Sequence, residues 1–391
     1  MDKNKRLTVW LPVIIAASIA LGIFIGNHYL SISQGKKRSY SSGNKINAIL
    51  DIIDEQYVDT VSMSKLVEST IPKIFSELDP HSVYIPAEDA SVVNEELEGS
   101  FSGIGVSFNM QTDTILVISV ISGGPAEKAG LLPFDRIISI NDSIFSGKKK
   151  NQGEIMKTLR GAKNSTVKLG VQRGNSPELL YFDVTRGDVP VNSVDVSYEA
   201  AKGIGYIKVS KFARNTYNEF ITAIAKLKQA GCTSFVIDLR GNTGGYMDAA
   251  INMINEFMPE GRLIVYTEGK SFPRSDVYAN GTGTCKDAPI VVLTDEISAS
   301  ASEIFSGAIQ DNDRGTIIGR RTYGKGLVQT QMSLSDGSEM RLTIARYYTP
   351  SGRCIQKKYE MGNTDAYDQD IYNRYMHGEF DSADSLSLIH I

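Results

Sequence analysis

The chain is poor in the residues that most often announce a chemistry. Its 391 residues include three cysteines, Cys232, Cys285 and Cys354. They are too few for a disulfide scaffold and too far apart for a zinc-type CxxC pair. Histidine occurs four times, at positions 28, 81, 377 and 390, and none stands beside a convincing nucleophile in sequence. Positive charge is not in surplus: Lys plus Arg is 41 against 45 Asp plus Glu, a formal net charge of −4. That balance gives no electrostatic reason to bind nucleic acid. What is present is ordinary: 41% hydrophobic and 22% charged residues, the composition of a globular protein with room for two or three domains of roughly 100–200 residues.

One stretch is uniformly apolar. Leu7 to Gly26 carries no charge and follows Lys3, Lys5 and Arg6. About twenty residues at 1.5 Å rise span a hydrocarbon core of about 30 Å. No A-x-A-like cleavage site or lipobox cysteine follows, so the segment reads as an uncleaved signal anchor rather than a signal peptide. The positive-inside rule leaves residues 1–6 in the cytoplasm and exports the rest. The expected place is therefore the cell membrane, single-pass, with the catalytic part on the periplasmic or extracellular side.

Residues 27–43 are polar and Ser/Gly-rich, a linker. Ile46, Ile49, Leu50, Ile53 and Tyr57 then recur at helical spacing, and Leu66, Val67, Ile71, Ile74, Phe75 and Leu78 form a second apolar face. Residues 44–98 are expected to be helical, either a packed layer or a homo-oligomerisation element. From 99 to 187 the pattern is short strands around a small helix, with Pro125 at its first position and Gly130 past its end. From 188 to 356 strands alternate with helices, which implies a layered α/β core. Helices are expected over Thr216–Gln229, Asp248–Met258 and Ala301–Gln310. Residues 357–391 read as an exposed polar insertion followed by a truncated C-terminus.

Two near-misses frame the chemistry. Gly319 to Lys325 fits GxxxxGK, but Gly326 stands where a P-loop needs Ser or Thr, and a strand pattern follows. A Ser-His-Asp triad would have to use one of four unpromising histidines. Two other segments stand out. Ile297-Ser298-Ala299-Ser300-Ala301-Ser302-Glu303 lies between a buried strand and a helix. There a hydroxyl can project into a cleft and helix-start N–H groups can hold an oxyanion. Ser300 and Glu303 also have capping-box spacing, so Ser300 could simply cap the helix. Gly324-Lys325-Gly326 places an amine between two glycines; the plain alternative is a solvated loop lysine. A neutral lysine can serve a serine as base. Free lysine has a pKa of ~10.4, and a useful base needs about 7–8. A shift of about three units costs roughly 4 kcal/mol. Such a site must be shielded and without a carboxylate partner, so Asp311 and Asp313 are expected to point away.

The stretch from Pro289 to Arg353 resembles the carboxy-terminal processing, or tail-specific, proteases, a serine–lysine peptidase family. SASASEIFSGAIQDNDRGTIIGRRTYGKGLVQT carries the likeness, with DLRGNTGG upstream and ARYYTPSGR downstream. LDPHSVYI at 78–85 and a PDZ-like module extend it over about residues 44–358. The resemblance implies a Clp-protease/crotonase-like core and places the nucleophile on Ser300, with Ser298 and Ser302 as fallbacks. It places the general base on Lys325, and on Gln329 a residue that orients the amine. Ala301 and either Gly244 or Gly245 would form the oxyanion hole, with no metal or cofactor required.

The PDZ-like module adds a recognition site. Gly103-Ile104-Gly105-Val106 opens a strand whose backbone N–H groups could hold the free C-terminus of a protein or peptide substrate. Ile104, Val106 and Phe108 offer no complementary charge, so apolar tails are expected. Two rivals remain: a tether with a dead core that delivers tails to another protease, and an acyl-CoA enzyme of crotonase architecture. The usual family segment after TPSGR, ending in Pro-Asp, is absent from residues 357–391.

Overall fold

The computed structural model describes residues 18–19, 42–111, 114–146 and 152–380. The chain divides after Thr70 into two compact units. In the first, helix α1 (Ser42–Gln56) leaves Ile46, Ile49 and Ile52 exposed. Helix α2 is Met63–Ser76. No helix among the described residues is long and apolar enough to cross a membrane. The expected span 7–26 lies outside them except for residues 18 and 19.

In the second unit β1 (Val83–Ile85) and α3 (Ala87–Glu98) lead into the β-rich module. Strand β2 (Ser100–Gly103) pairs with β9 (Gly187–Pro190) and closes the module at its base. The strands β3 (Val106–Gln111), β4 (Thr114–Val120), β5 (Arg136–Ile140), β7 (Thr166–Gln172) and β8 (Leu180–Thr185) form an antiparallel sheet in that order, with β6 (Ser143–Ile144) against β5. Two helices, α4 (Pro125–Ala129) and α5 (Gln152–Leu159), complete it. Gly124 caps α4, Pro125 sits at its first turn and Gly130 ends it with φ 90°, the asymmetry read from the sequence. The alternating side chains Ile115, Val117, Ile137, Val167, Leu169 and Val171 point inward and are buried.

The α/β core is built on the sheet β10 (Val194–Ala201), β11 (Ile204–Val209), β12 (Ser234–Asp238), β15 (Ile290–Thr294) and β16 (Thr316–Gly319). Strands β11, β12, β15 and β16 are parallel neighbours. Their crossovers include α6 (Thr216–Gln229), α7 (Met247–Asn255) and α8 (Ala301–Asp311). Parallel strands need such crossovers, and the loops after their C-terminal ends gather on one edge. A second sheet holds β1, β18 (Glu339–Tyr348), β13 (Leu263–Glu268) and β14 (Ser275–Tyr278), with β17 (Leu327–Ser333) against β18. Phe220, Phe235, Phe257 and Phe305 pack edge-on in the core between the layers.

Most residues of 358–380 are exposed or half-buried, but the stretch is anchored on the core. Helices α9 (Asp365–Asp368) and α10 (Asp370–Met376) follow, and Lys357, Tyr367 and Arg374 are buried. Their charges are tolerated because each is paired. Lys357 reaches Asp370 (3.2 Å), and Arg374 reaches Glu379 (2.8 Å) and the carbonyl of Arg321 (2.6 Å).

Candidate active site

Two loops leave adjacent strands on the same edge of the parallel sheet. The first, 239–246, follows β12. Asp238 anchors it through Arg240 (2.6 Å) and the Tyr206 hydroxyl (2.6 Å). Burial alone would push this carboxyl up; the Arg240 and Tyr206 bonds outweigh it and hold it at about 2. The second loop, 295–300, follows β15 and ends on Ser300, the N-cap of α8. Ser300 has φ 56° and ψ −113°, a conformation L residues seldom adopt. The loops are stitched together: Ala299 N–H donates to the Asn242 carbonyl (3.0 Å). A Cβ on Gly244 would lie 2.7 Å from the Ser300 Cβ and 3.0 Å from the Ala301 nitrogen, so only glycine fits there.

The three serines separate by environment. Ser298 is fully buried and donates to the Leu239 carbonyl (2.8 Å); Ser302 is fully buried and donates to the Asn242 carbonyl (2.9 Å). Both hydroxyls fasten the two loops. Ser300 instead lines a cleft of about 480 Å³ together with Gly244, Gly245, Lys325 and Gln329. Ala301 is fully buried behind it. The Gly244 N–H donates to Asn242 Oδ1 (2.8 Å).

Sequence reasoning saw Glu303 only as half of a capping box. It is fully buried and joins the serine and lysine loops. Its Oε2 accepts the N–H groups of Ser300 and Lys325, both at 2.8 Å. Its Oε1 accepts the Thr322 hydroxyl (2.7 Å) and the Gly324 N–H (2.6 Å). Burial pushes its carboxyl up, and these four donors oppose the shift. Lys325 itself is shifted down, first by burial and then by the charge of Arg341, which lines the same cleft. The two acids that oppose this shift, Asp79 and Glu303, are bonded to other groups. Asp79 accepts from Ser82 and Thr343. Asp311 turns away as expected and bonds Ser351 and Arg353.

Gln329 lines the cleft, but its Nε2 donates to the backbone carbonyl of His81 rather than marking a direct bond to the amine. His81 is the histidine that sequence reasoning passed over. It sits in the LDPHSVYI loop, pinned to β18 because Asp79 and Ser82 bond Thr343. Burial, then the charge of Lys325, lowers its pKa to about 4. No sequence pattern signals that contact across 248 positions.

Comparison with known proteins places the chain in a family. The description of peptidase family S41 matches residues 203–365, and that of the PDZ domain matches 102–195. The carboxy-terminal processing protease CtpB of Bacillus subtilis (strain 168) is 35% identical over 318 residues, 81% of this chain and 66% of that protein. A Staphylococcus aureus (strain N315) relative, named among the CtpA-like serine proteases, is 33% identical over 365 residues, 91% of this chain and 72% of its own length. The chain belongs to peptidase family S41. A solved photosystem II D1 C-terminal processing protease is 28% identical, covering 81% of this chain and 91% of that one, with a TM-score of 0.45.

The S41 core of this chain thus carries its PDZ domain between α3 and β10. In that domain β3 is an edge strand. The Gly105 carbonyl accepts the Ile121 N–H (2.9 Å), so ladder alternation turns the backbone groups of Val106 outward. Gly105 has φ 78° and brings the chain close to Pro125. The Ile104 side chain is 2% exposed and belongs to the domain's core, while Gly103 pairs with Gly187 in the closing strands. Of the four expected positions, Gly105 and Val106 stand where the edge strand begins.

Proposed function

We propose that this chain is a membrane-anchored serine endopeptidase that uses a Ser300–Lys325 dyad on exported proteins recognised by their C-terminal tails. The observation that carries the proposal is the shared cleft: an exposed-side serine in a strained turn and a lysine whose charge is disfavoured by burial face the same space. The neutral Lys325 amine takes the proton of the Ser300 hydroxyl as its oxygen bonds to the substrate carbonyl carbon. The ammonium then protonates the leaving amine as the C–N bond breaks. Water, deprotonated by the same amine, releases the acyl group and returns the proton to Ser300. The oxyanion is held by the N–H of Ala301 at the start of α8 and by that of Gly245. Gly245 is preferred because the Gly244 N–H is bonded to Asn242. Gln329 holds the amine through its free amide oxygen while its nitrogen is fixed on His81.

The tail adds along β3 as an extra strand, its carboxylate at the Gly105 turn. Residues 7–26 tether the enzyme with the cleft outside the cytoplasm. Residues such as the exposed Ile46 and Ile49 of α1 make that helix the face for self-association. Mass-spectrometric mapping of products from a model protein with a free or an amidated C-terminus tests catalysis and recognition together. Ser300→Ala and Lys325→Ala are each expected to abolish cleavage with unchanged folding. Full activity in either variant would sink the dyad, and equal cleavage of the two substrates would sink tail recognition. Protease protection on intact cells checks the orientation.

A further inference from the structure

Lys325 is gripped from its far side by residues 356–367, and the last of these lies beyond the residues matched to family S41. The Gly326 N–H donates to Gln356 Oε1 (2.9 Å), and the Lys357 N–H donates to the Gly324 carbonyl (2.9 Å). Both glycines flanking the lysine are therefore tied to one stretch of chain. Gln356 Nε2 donates to the Lys357 carbonyl (2.9 Å) and to Tyr367 Oη (3.2 Å). The phenolic oxygen also lies 2.7 Å from His81 Nε2, and the phenol is the donor in that pair when the imidazole carries its hydrogen on Nδ1. The His81 carbonyl holds Gln329, which faces the cleft with Lys325.

These bonds encircle the base, running from Gly326 through Gln356, Tyr367 and His81 to Gln329. Tyr367 closes the path and is 4% exposed. Its ring has independent support. The Lys357 ammonium lies 4.0 Å from its centroid, and the Tyr323 ring meets it edge-on at 6.1 Å. Lys357 is anchored in turn on Asp370. The ring can stay in place without the hydroxyl.

We propose that Tyr367 is a positioning residue for the general base: its hydroxyl fixes His81, and through His81 and Gln356 it sets both Gln329 and the turn that carries Lys325. The role requires a neutral imidazole with its hydrogen on Nδ1. The groups that bear on the ring are Lys325 and Lys357, which disfavour its protonation, and Asp79, which favours it. Burial is the largest influence and also disfavours the charged ring.

This inference rests on the serine–lysine reading, and steady-state kinetics on the full chain with a tailed peptide separate the two. Tyr367→Phe is expected to lower kcat between about ten- and a hundred-fold, the scale of a misplaced catalytic group, with KM and the thermal midpoint close to the unaltered protein. In a Gln329→Ala background the same substitution is expected to add little, because both act through one path. His81→Gln, whose amide oxygen can still accept from the phenol, is expected to keep most of kcat, whereas His81→Leu reproduces the loss. Ser300-dependent cleavage that is untouched by Tyr367→Phe, or a loss that is fully additive with Gln329→Ala, overturns the inference alone. Cleavage that survives Ser300→Ala overturns the serine–lysine reading and this inference with it.

Discussion

The core and the PDZ domain present their candidate sites in opposite ways. In the core, the loops that carry Ser300 and Lys325 are held by buried side-chain hydrogen bonds. Ser298 and Ser302 hold the loops, and Glu303 alone accepts four donors. In the PDZ domain the candidate site is an edge, with the backbone of Val106 turned outward and no side chain invested in it. Bond-breaking needs groups fixed in one geometry before the substrate arrives. Strand addition needs the reverse, backbone donors and acceptors left unpaired. One chain satisfies both demands by placing them in separate domains.

Three substitutions sharpen that contrast. The largest effect is expected from Glu303→Ala, which strands the Thr322 hydroxyl and three buried N–H groups. Each unsatisfied donor costs roughly 1–3 kcal/mol. Urea unfolding should show a loss of at least about 3 kcal/mol, and kcat should fall by at least about a hundred-fold. A variant within a few-fold of normal activity would mean that the two loops hold their geometry without the carboxylate.

Gly105→Ala should act on the other region only. The added Cβ has room, 3.4 Å from Pro125 and Val189, but φ 78° does not suit alanine. A cost of about 1 kcal/mol is expected, with a raised KM for tailed substrates and an unchanged kcat on short untailed peptides. A fall in kcat on the untailed peptide would show that the two sites are coupled and that the contrast is too sharply drawn.

The smallest effect on stability, seen as a slope, is expected from Lys325→Met. Burial, then Arg341, lowers the lysine's folded-state pKa. Between that lowered value and the unfolded value of ~10.4 the unfolded chain binds the extra proton. Stability contributed by this site therefore rises with pH across that window, and the penalty is fully present below it. A thioether in place of the amine carries no such penalty, so the variant should be more heat-stable, with a gain that is largest at low pH and shrinks as pH rises. A gain independent of pH would assign it to packing instead.

Much of this was legible in the sequence because it depends on local pattern. Helix α6 falls on Thr216–Gln229 as expected, and Pro125 and Gly130 bracket α4 as their positions in the sequence indicate. The strand-to-helix turn at Ser300 and the glycines around Lys325 mark the cleft. What stayed hidden depends on partners far apart in the chain. The contact of His81 with Gln329 and Tyr367 leaves no periodicity. The segment after 356 reads as exposed because it is rich in charge, and the burial of Lys357 and Arg374 against the half-exposed Asp370 and Glu379 leaves no local pattern. Glu303 was visible through S-x-x-E spacing, but that spacing speaks only of the helix end and not of the second loop it holds.

The backbone at Ser300 bears on whether the core is alive. A residue with side chain held at φ 56° and ψ −113° costs about 1–3 kcal/mol, and glycine would rest there at ease. A scaffold kept merely to ferry peptides would gain by exchanging that serine for glycine, since the loss as a helix cap is only about a few tenths of a kcal/mol. Its presence in so uncomfortable a posture is what a working hydroxyl would demand.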